Sequence, residues 1–351
     1  MSNYVEPNES GLFDKAARLE ELHEMGDPLA RLDEVIDWRI FEPVFARIPK
    51  AEPKGPGGRH PFDPRMMFKA LVIQNLYQLS DEQLEFQITD RLSFKSFLGL
   101  THADKSPDEK TFWAFRDSLT SHKLIEPLFE LFHATLQSQG MFARKGQMVD
   151  ATFVEVPRQR NSREDNAKIK AGAMPESWRG QSEKVRQKDV DARWTIKNGR
   201  RYYGYKNHVK VDSRSKLIEG FTVTPASVHD SQVLEKLIAK GDPTTYVDSA
   251  YTGAECEAIF EARAVEARPI ERAYRNKPLN GRQKRTNKAR SKIRVRVEHV
   301  FATMRMCMRS AWNRCIGLTR NHAAIAMTNL VYNMVRFEQI TRLGLKNWRA
   351  A

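Results

Sequence analysis

The order of strand-like and helix-like segments after residue 145 restricts the fold of this chain more than any other feature. Three successive runs are rich in β-branched and aromatic residues and have the texture of strands: GQMVDATFVEV, RYYGYKNHVKVD and KLIEGFTVTPA. Next come a helical segment, a strand, a helix, a short strand and a long helix: HDSQVLEKLIAK, TTYVDSAY, GAECEAIFEAR, VEARPI and the stretch around SKIRVRVEHVFATMRM. Early strands followed by alternating helices and strands predict an α/β fold, a mixed sheet with flanking helices.

Changes of composition suggest domain boundaries. Residues 1–57 are predicted to be an N-terminal arm and linker, which ends in a segment too rich in Pro and Gly for regular structure. Residues 58–140 are predicted to form an all-helical domain, and residues 141–342 the α/β domain with a basic insertion at 272–292. Residues 343–351 would be a tail. The polar, charged region from 157 to 200 is predicted to be a long loop.

Two capping signals support the helical assignment of residues 58–140. Ser80 opens an S-x-x-Q capping box, and Ser106 is predicted to cap a second helix in which Pro107 is the first residue and Glu109 completes the box. Exposed basic residues between short helices favour a helix-turn-helix-like DNA-binding module. A domain that only packs against the rest of the chain is the alternative.

The charge of the chain indicates the class of partner. Lys and Arg number 58 against 44 Asp and Glu, so the formal net charge is +14, and a polyanion is the expected ligand. A membrane is the weaker choice, because no apolar run approaches the roughly 18 residues that span a bilayer and no signal-peptide pattern is present. A cytoplasmic protein that binds nucleic acid is therefore expected.

Three acidic residues stand where an acid needs an explanation. Asp150 lies in the middle of an apolar strand and Asp248 at the end of another, and a buried carboxylate without a partner is costly. Glu298 lies among basic residues, and helical spacing puts Arg294, Glu298 and Arg305 on one face. Salt bridges to the many basic residues are the simple explanation for each acid. An intrahelical salt bridge would leave Glu298 exchangeable for Gln at under about 1 kcal/mol.

The three acids considered together favour a metal site. The first and fourth predicted strands are commonly neighbours in a mixed sheet, so Asp150 and Asp248 would lie side by side, with Glu298 on a helix that crosses the same face. Converged carboxylates repel one another unless cations lie among them. Oxygen ligands of this kind favour Mg²⁺, with Mn²⁺ as a substitute.

Five blocks of the sequence resemble a known family. The blocks MVDATFVEVP, YGYKNHVKVD, TPASVHDSQ, VDSAYTG and RVEHVFATMR occur in the order found in bacterial insertion-sequence transposases of the DDE class, of the insertion-sequence-five type within the insertion-sequence-four-like superfamily. The likeness covers about residues 60–335. It implies a ribonuclease-H-like catalytic domain preceded by a helical domain.

The resemblance assigns roles to individual residues. Asp150, Asp248 and Glu298 correspond to the catalytic, metal-binding triad, and the cofactor implied is Mg²⁺ used in a two-metal mechanism. Arg294 matches the family's pattern around the glutamate, Arg305 replaces a Lys, and Ser291 stands where the family has Tyr. The resemblance also places His229 and Asp230 beside the metal ligands; the alternative for Asp230 is to cap the helix that follows it. The residues predicted to contact DNA are Arg294, Arg305, Arg296, Lys292, Lys206, His208, Lys284 and Arg285.

The function that the resemblance implies is DNA transposition. A transposase would cleave double-stranded DNA at the terminal inverted repeats of a mobile element and join the ends to target DNA, as a homodimer on paired ends. It would be nucleoid-associated. Two alternatives remain open: a nuclease on the same fold without strand transfer, and a non-catalytic DNA-binding regulator derived from a transposase.

Overall fold

The computed structural model describes residues 14–49, 60–101, 103–274 and 278–346. Most of the Pro- and Gly-rich linker and most of the tail that the sequence predicts lie outside these residues. The N-terminal region contains eight α-helices, α1 to α8, among its described residues: Asp14–Glu24, Pro28–Val35, Glu42–Phe45, Pro64–Tyr77, Asp81–Asp90, Leu92–Leu98, Glu109–Ser121 and Ile125–Ser138. The predicted helical texture of this region is confirmed.

Local capping explains where two of these helices begin. Helix α5 has the predicted capping box: Gln83 donates its backbone N–H to the Ser80 hydroxyl, and Ser80 donates its own to the Gln83 side chain. The predicted start at Ser106 is wrong. Helix α7 begins at Glu109 because Asp108 is its cap and accepts the N–H of Thr111 at 2.8 Å.

Residues 28–48, which the sequence places in an arm and linker, pack into the main hydrophobic core. Leu29 and Phe41 are fully buried there. The Phe41 ring meets that of Phe68 on α4 edge to face, with centroids 5.0 Å apart, and packs against Phe132 on α8. Aromatic contacts of this kind add to the free energy of burial. This segment therefore stabilises the helical region.

Within the described part of the chain the sheet has six strands, β1 to β6: Gln147–Glu155, Arg193–Lys197, Arg200–Asp212, Ile218–Pro225, Thr245–Val247 and Ala267–Pro269. The long strand β3 pairs antiparallel with β1 along one edge and with β2 and β4 along the other. Strand β1 pairs in parallel with β5, and β5 in parallel with β6. This is a mixed sheet, and the predicted α/β fold of ribonuclease-H-like type with an N-terminal helical region is confirmed.

Six further α-helices, α9 to α14, belong to the described part of this region: Arg163–Lys170, Ser182–Arg186, Leu234–Leu237, Ala254–Ala262, Gly281–Met308 and Leu318–Arg342. Helices α9 and α10 and strand β2 lie within 157–200, so the prediction of a long loop there is wrong. Residues 281–292 of the basic insertion form the first turns of α13. Within the described ranges, none of the helices carries an apolar stretch of bilayer-spanning length.

Helix α14 fixes the sheet to the helical region through its mostly buried face. Two of its buried amides pair with the sheet: Asn329 exchanges hydrogen bonds with Asn207, and Asn333 binds the backbone of Ile218. On another face, Thr328 donates to Asn75 of α4 at 3.0 Å. Buried polar groups need such partners. Helix α14 thereby holds strands β3 and β4 against the N-terminal helices.

Candidate active site

Asp150 and Asp248 occupy equivalent positions on adjacent strands. The parallel pairing of β1 and β5 ends with Val149 opposite Val247, and each aspartate is the next residue. Neighbouring strands lie about 4.8 Å apart, so the backbones of the two aspartates are close. Asp150 accepts the N–H of Ala151 at 2.8 Å, and Asp248 accepts that of Ser249 at 2.6 Å. The predicted proximity of these two strands is confirmed.

Helix α13 brings Glu298 to the same place. Nη1 of Arg294 donates to Oδ2 of Asp150 at 2.6 Å, and the same nitrogen lies 3.9 Å from Oε1 of Glu298. The two carboxylate oxygens therefore lie no farther apart than the sum of these distances, 6.5 Å. Two helical turns beyond Glu298, Arg305 donates to Thr152 Oγ1 of β1 at 2.7 Å. The face of α13 predicted from helical spacing is thus the face that meets β1.

Burial dominates the electrostatics of this site. The Asp150 side chain is 8% exposed and the Glu298 side chain 50%. Removal from water raises the pKa of Asp150 to about 6, although the positive charge of Arg294 opposes the rise. The charge of Arg294 therefore does not fully offset the cost of burying the ionised Asp150. A second positive charge at this site would stabilise the ionised carboxylate further.

The site is not arranged as a metal cage in this structure. Among the residues that the structure describes, no three His, Cys, Asp or Glu side chains are placed to hold a metal ion together. The guanidinium of Arg294 instead binds Asp150 and lies 3.9 Å from Glu298. The donor set fits a divalent cation, since two adjacent aspartates and a nearby glutamate supply only hard oxygen ligands.

Tyr251 is a residue of this site that the sequence analysis missed. It ends the 3₁₀ turn Ser249–Tyr251, and its backbone N–H returns to the carbonyl of Asp248 at 3.1 Å. The buried hydroxyl has no hydrogen-bond partner among the described residues. Burial and the negative charges of Asp230, Asp150 and Asp248 raise its pKa. The segment VDSAY contains no signal for this role, because the turn that directs the ring inward is not visible in the residue pattern.

A layer of paired polar groups of β3 lies on the face of the sheet opposite to that of Asp150, since His208 is opposite Ala151 and Lys206 is opposite Phe153. Nζ of Lys206 binds Asp230 Oδ1 at 2.8 Å and the carbonyl of Val228 at 2.7 Å, and Nε2 of His208 lies 2.9 Å from Thr224 Oγ1. Lys206 and His208 are buried, so the prediction that they face DNA does not agree with their place inside the protein. Strand β3 is central, with partners on both edges, and its alternation does not mark a solvated face. Asp230 forms a salt bridge with Lys206, and the 3₁₀ turn that begins at Asp230 is capped by His229 and not by Asp230.

The stability of this layer should depend on pH through His208. Burial lowers the pKa of His208 to about 4, from an ordinary 6.5, although the charge of Asp230 opposes the change. The folded state favours the neutral ring. The contribution of the neutral His208 ring to the free energy of unfolding is therefore complete above pH 6.5 and is lost as the pH falls toward 4. The shift is worth about 3 kcal/mol. In urea unfolding, the destabilisation caused by His208→Gln should therefore shrink by up to about that amount between pH 7.5 and pH 4.

The comparison with the variant is necessary because other buried groups titrate with the opposite sign. Burial raises the pKa of Glu219 to about 7 and that of Asp150 to about 6, so protonation of both stabilises the folded state as the pH falls. These contributions cancel between wild type and His208→Gln. A difference in unfolding free energy that stays constant with pH would contradict the assignment.

The remaining predicted DNA contacts lie along α13. Lys284, Arg285 and Lys292 are exposed, and none of them forms an ion pair with another described residue. Arg296 donates to the carbonyl of Ser213 at 2.7 Å. The start of α13 thus presents uncompensated positive charge to solvent, which is the property expected of a phosphate-binding surface.

Comparisons with known proteins match two parts of the chain. Residues 142–334, more than half of the chain, match the family model described as a transposase DDE domain. Residues 17–118 match a second model, described as a transposase domain. No solved structure matches the chain. The first match contains all of the candidate carboxylates, and the second contains most of α1, helices α2 to α6 and most of α7.

Proposed function

The chain belongs to the transposase DDE domain family, and from this premise we propose that it cuts DNA at the terminal inverted repeats of a mobile element and joins the ends to target DNA. The insertion-sequence-five type is the member group that we propose for it, on the five sequence blocks. A single observation supports the catalytic role best: Asp150 and Asp248 each directly follow the last paired residue of the parallel strands β1 and β5, and an oxygen of Glu298 lies within 6.5 Å of one of Asp150.

Asp150, Asp248 and Glu298 are the residues that would hold the divalent cations, Mg²⁺ with Mn²⁺ as a substitute. When bound, such cations make the attacking water or 3′-hydroxyl more acidic and stabilise the leaving oxygen of the phosphodiester. Burial of Asp150 excludes water from one side of the site and strengthens its interactions with charge. The buried hydroxyl of Tyr251, which has no hydrogen-bond partner among the described residues, would be available to donate to a water bound at the site.

Arg294 and Arg305 bracket Glu298 on the face of α13 that meets the site. A phosphate of bound DNA offers Arg294 an alternative partner to Asp150, and guanidinium groups bind phosphate with two parallel hydrogen bonds. In this proposal Arg294 turns from Asp150 to the DNA, and Asp150 is then free to accept a cation. Arg305, anchored on Thr152 in the free protein, would bind a second phosphate.

Removal of the Arg294 guanidinium should strengthen divalent cation binding in the absence of DNA. A charge-assisted hydrogen bond to a carboxylate is worth about 1.5–3 kcal/mol, so Arg294→Gln should bind Mn²⁺ about tenfold more tightly than the wild type, as measured by electron paramagnetic resonance titration. Arg305→Gln is the matched control, because Arg305 lies on the same face but binds a hydroxyl rather than a carboxylate. Equal or weaker binding by Arg294→Gln would show that the guanidinium does not compete for the site.

The activity is tested with purified protein, Mg²⁺, a DNA fragment that carries the terminal repeats of its own element, and a target plasmid. Cleavage at the repeats and covalent joining to the plasmid are the expected products, and a dimer on paired ends is expected in the active complex. Cut ends that never join would indicate a nuclease without strand transfer. Binding of the repeats without cleavage would indicate a regulator derived from a transposase.

A further inference from the structure

A large groove lies between the N-terminal helices and the sheet region. It encloses about 870 Å³. One wall is formed by residues of α4 and α7, including Trp113, and the other by residues of β1, α13, α14 and the segment that links the two helices, including Trp312. Each wall lies mainly in one of the two matched regions, so the groove is formed only where the two regions meet.

The groove begins beside the candidate active site. Thr152 lines it and stands two residues after Asp150 on the same face of β1, about 7 Å along the strand. Thr152 also accepts the hydrogen bond from Arg305, the arginine that brackets Glu298. A DNA strand cut next to Asp150 could therefore continue directly into this groove.

The charge of the groove suits a nucleic acid. Some of the arginines that line the groove are paired with a carboxylate and others are not. Arg116 is paired with Asp81 at 2.6 Å, and Arg320 lies 3.3 Å from Asp117. By contrast, two exposed lining residues have no ion-pair partner among the described residues: Arg309 and Arg314. They belong to the segment that enters the groove from the end of α13.

Two exposed indole rings accompany these free charges. Trp113 is 52% exposed and Trp312 is 51% exposed, and both line the groove. Aromatic side chains beside free cationic groups characterise proteins that bind unpaired strands, because every base offers a face for stacking. The enclosed volume is that of a site for a small organic ligand or a few nucleotides, not for a duplex.

We propose that this interdomain groove binds an unpaired segment of the DNA strand that extends from the candidate active site. Trp113 and Trp312 stack on its bases, and Arg309 and Arg314 bind its phosphates. The assignment rests on the proposed function for the identity of the DNA, but the binding itself requires neither a metal ion nor cleavage.

The test is fluorescence anisotropy of labelled DNA with the full-length protein in EDTA. The wild type is expected to bind a duplex with a single-stranded extension of about six nucleotides, within the range of known single-strand sites, more tightly than the blunt duplex. Trp113→Ala/Trp312→Ala should lose about tenfold in affinity for the extended DNA and keep its affinity for the blunt duplex. The blunt duplex also reports whether the variant is folded.

Conservative variants separate stacking from a structural role. Trp113→Phe/Trp312→Phe keeps two aromatic faces and should retain most of the preference for extended DNA. Arg309→Ala/Arg314→Ala should lose that preference, whereas Lys240→Ala, which removes an exposed charge outside the groove, should not. Equal affinity of the wild type for extended and blunt DNA would overturn the proposal, as would an equal loss of both affinities in the tryptophan variants. Failure of joining in Mg²⁺ with the preference intact would count against the proposed function alone.

Discussion

Asp150→Asn is expected to reduce strand joining by about a thousandfold or more without lowering the stability of the fold, because removal of a group essential to the chemistry costs rates of that order. The oxygen of an amide is a poor substitute for a carboxylate toward a divalent cation. Asp248→Asn and Glu298→Gln should have the same effect. The loss is measured from the initial rate of joined product in the plasmid assay.

The expectation that Asp150→Asn does not lower the stability of the fold follows from the pKa of Asp150. The pKa in the folded protein, about 6, lies above the ordinary value of 3.8 because the carboxylate is buried. The ionised form therefore costs folding free energy above pH 6, and the cost is relieved as the pH falls toward 3.8. Asparagine carries no charge at any pH, so the unfolding midpoint of Asp150→Asn at pH 8 should equal or exceed that of the wild type.

Glu155→Gln is the matched control for Asp150→Asn. Glu155 lies on the same strand, five residues farther along, so its side chain points to the other face of the sheet. The change from carboxylate to amide is the same, yet joining should be preserved. Normal joining by Asp150→Asn would remove the basis for the proposed catalytic site. A large loss of stability in Asp150→Asn would instead indicate that Asp150 acts mainly as the partner of Arg294.

The placement of the acids could be predicted from the sequence because it depends on strand order and periodicity. An apolar strand with one acid in it, and a second acid directly after another apolar run, leave little choice once the two strands are neighbours in parallel register. The face of α13 followed from helical spacing in the same way. Local patterns suffice for these features because period and register are set by the backbone.

The contact between Arg294 and Asp150 could not be predicted in the same way. These residues are 144 positions apart, and the hydrogen bond depends on the distance and angle at which α13 packs on β1. The helical pattern alone favoured a pair between Arg294 and Glu298, which the structure contains only at 3.9 Å. The burial of His208 was missed for a similar reason. The polar and apolar alternation of β3 looks like that of a half-exposed strand, and only tertiary packing covers its polar side.

In the region 157–200, amino-acid composition alone gave the wrong structure. Its polar, charged sequence predicts a loop, yet it contains a buried carboxylate that holds it to the rest of the chain. Oδ1 of Asp189 accepts from the hydroxyl of Tyr205 at 2.7 Å and from the N–H groups of Asp191 and Ala192 at 3.0 and 2.9 Å. Oδ2 accepts from the same hydroxyl at 2.8 Å and from the N–H of Gly317 at 3.0 Å. Such a group looks like any other acid in the sequence.

Asp189→Ala is therefore expected to destabilise the protein by about 3–5 kcal/mol, the cost typical of breaking a buried polar network by removing one partner. The side chain is almost fully buried, so its loss leaves the Tyr205 hydroxyl and three backbone N–H groups without acceptors and without water. The measurement is the free energy of unfolding from denaturant titration at pH 7.5. Tyr205→Phe, which removes one donor and leaves the carboxylate with its backbone partners, should cost about 1–2 kcal/mol.

Asp191→Ala provides the matched control, because Asp191 lies two residues away and its Oδ2 accepts the N–H of Leu318, at 2.8 Å, at the start of α14. The loss of a helix cap of this kind costs about 1 kcal/mol. Asp189 binds the 157–200 region and strand β3 to the link between α13 and α14, which carries Arg314 of the groove, so Asp189→Ala should also weaken binding of single-stranded extensions. Equal costs for Asp189→Ala and Asp191→Ala would mean that the buried carboxylate is only a local cap. A large cost for Asp189→Ala alone would show that this single residue secures the groove wall on the fold.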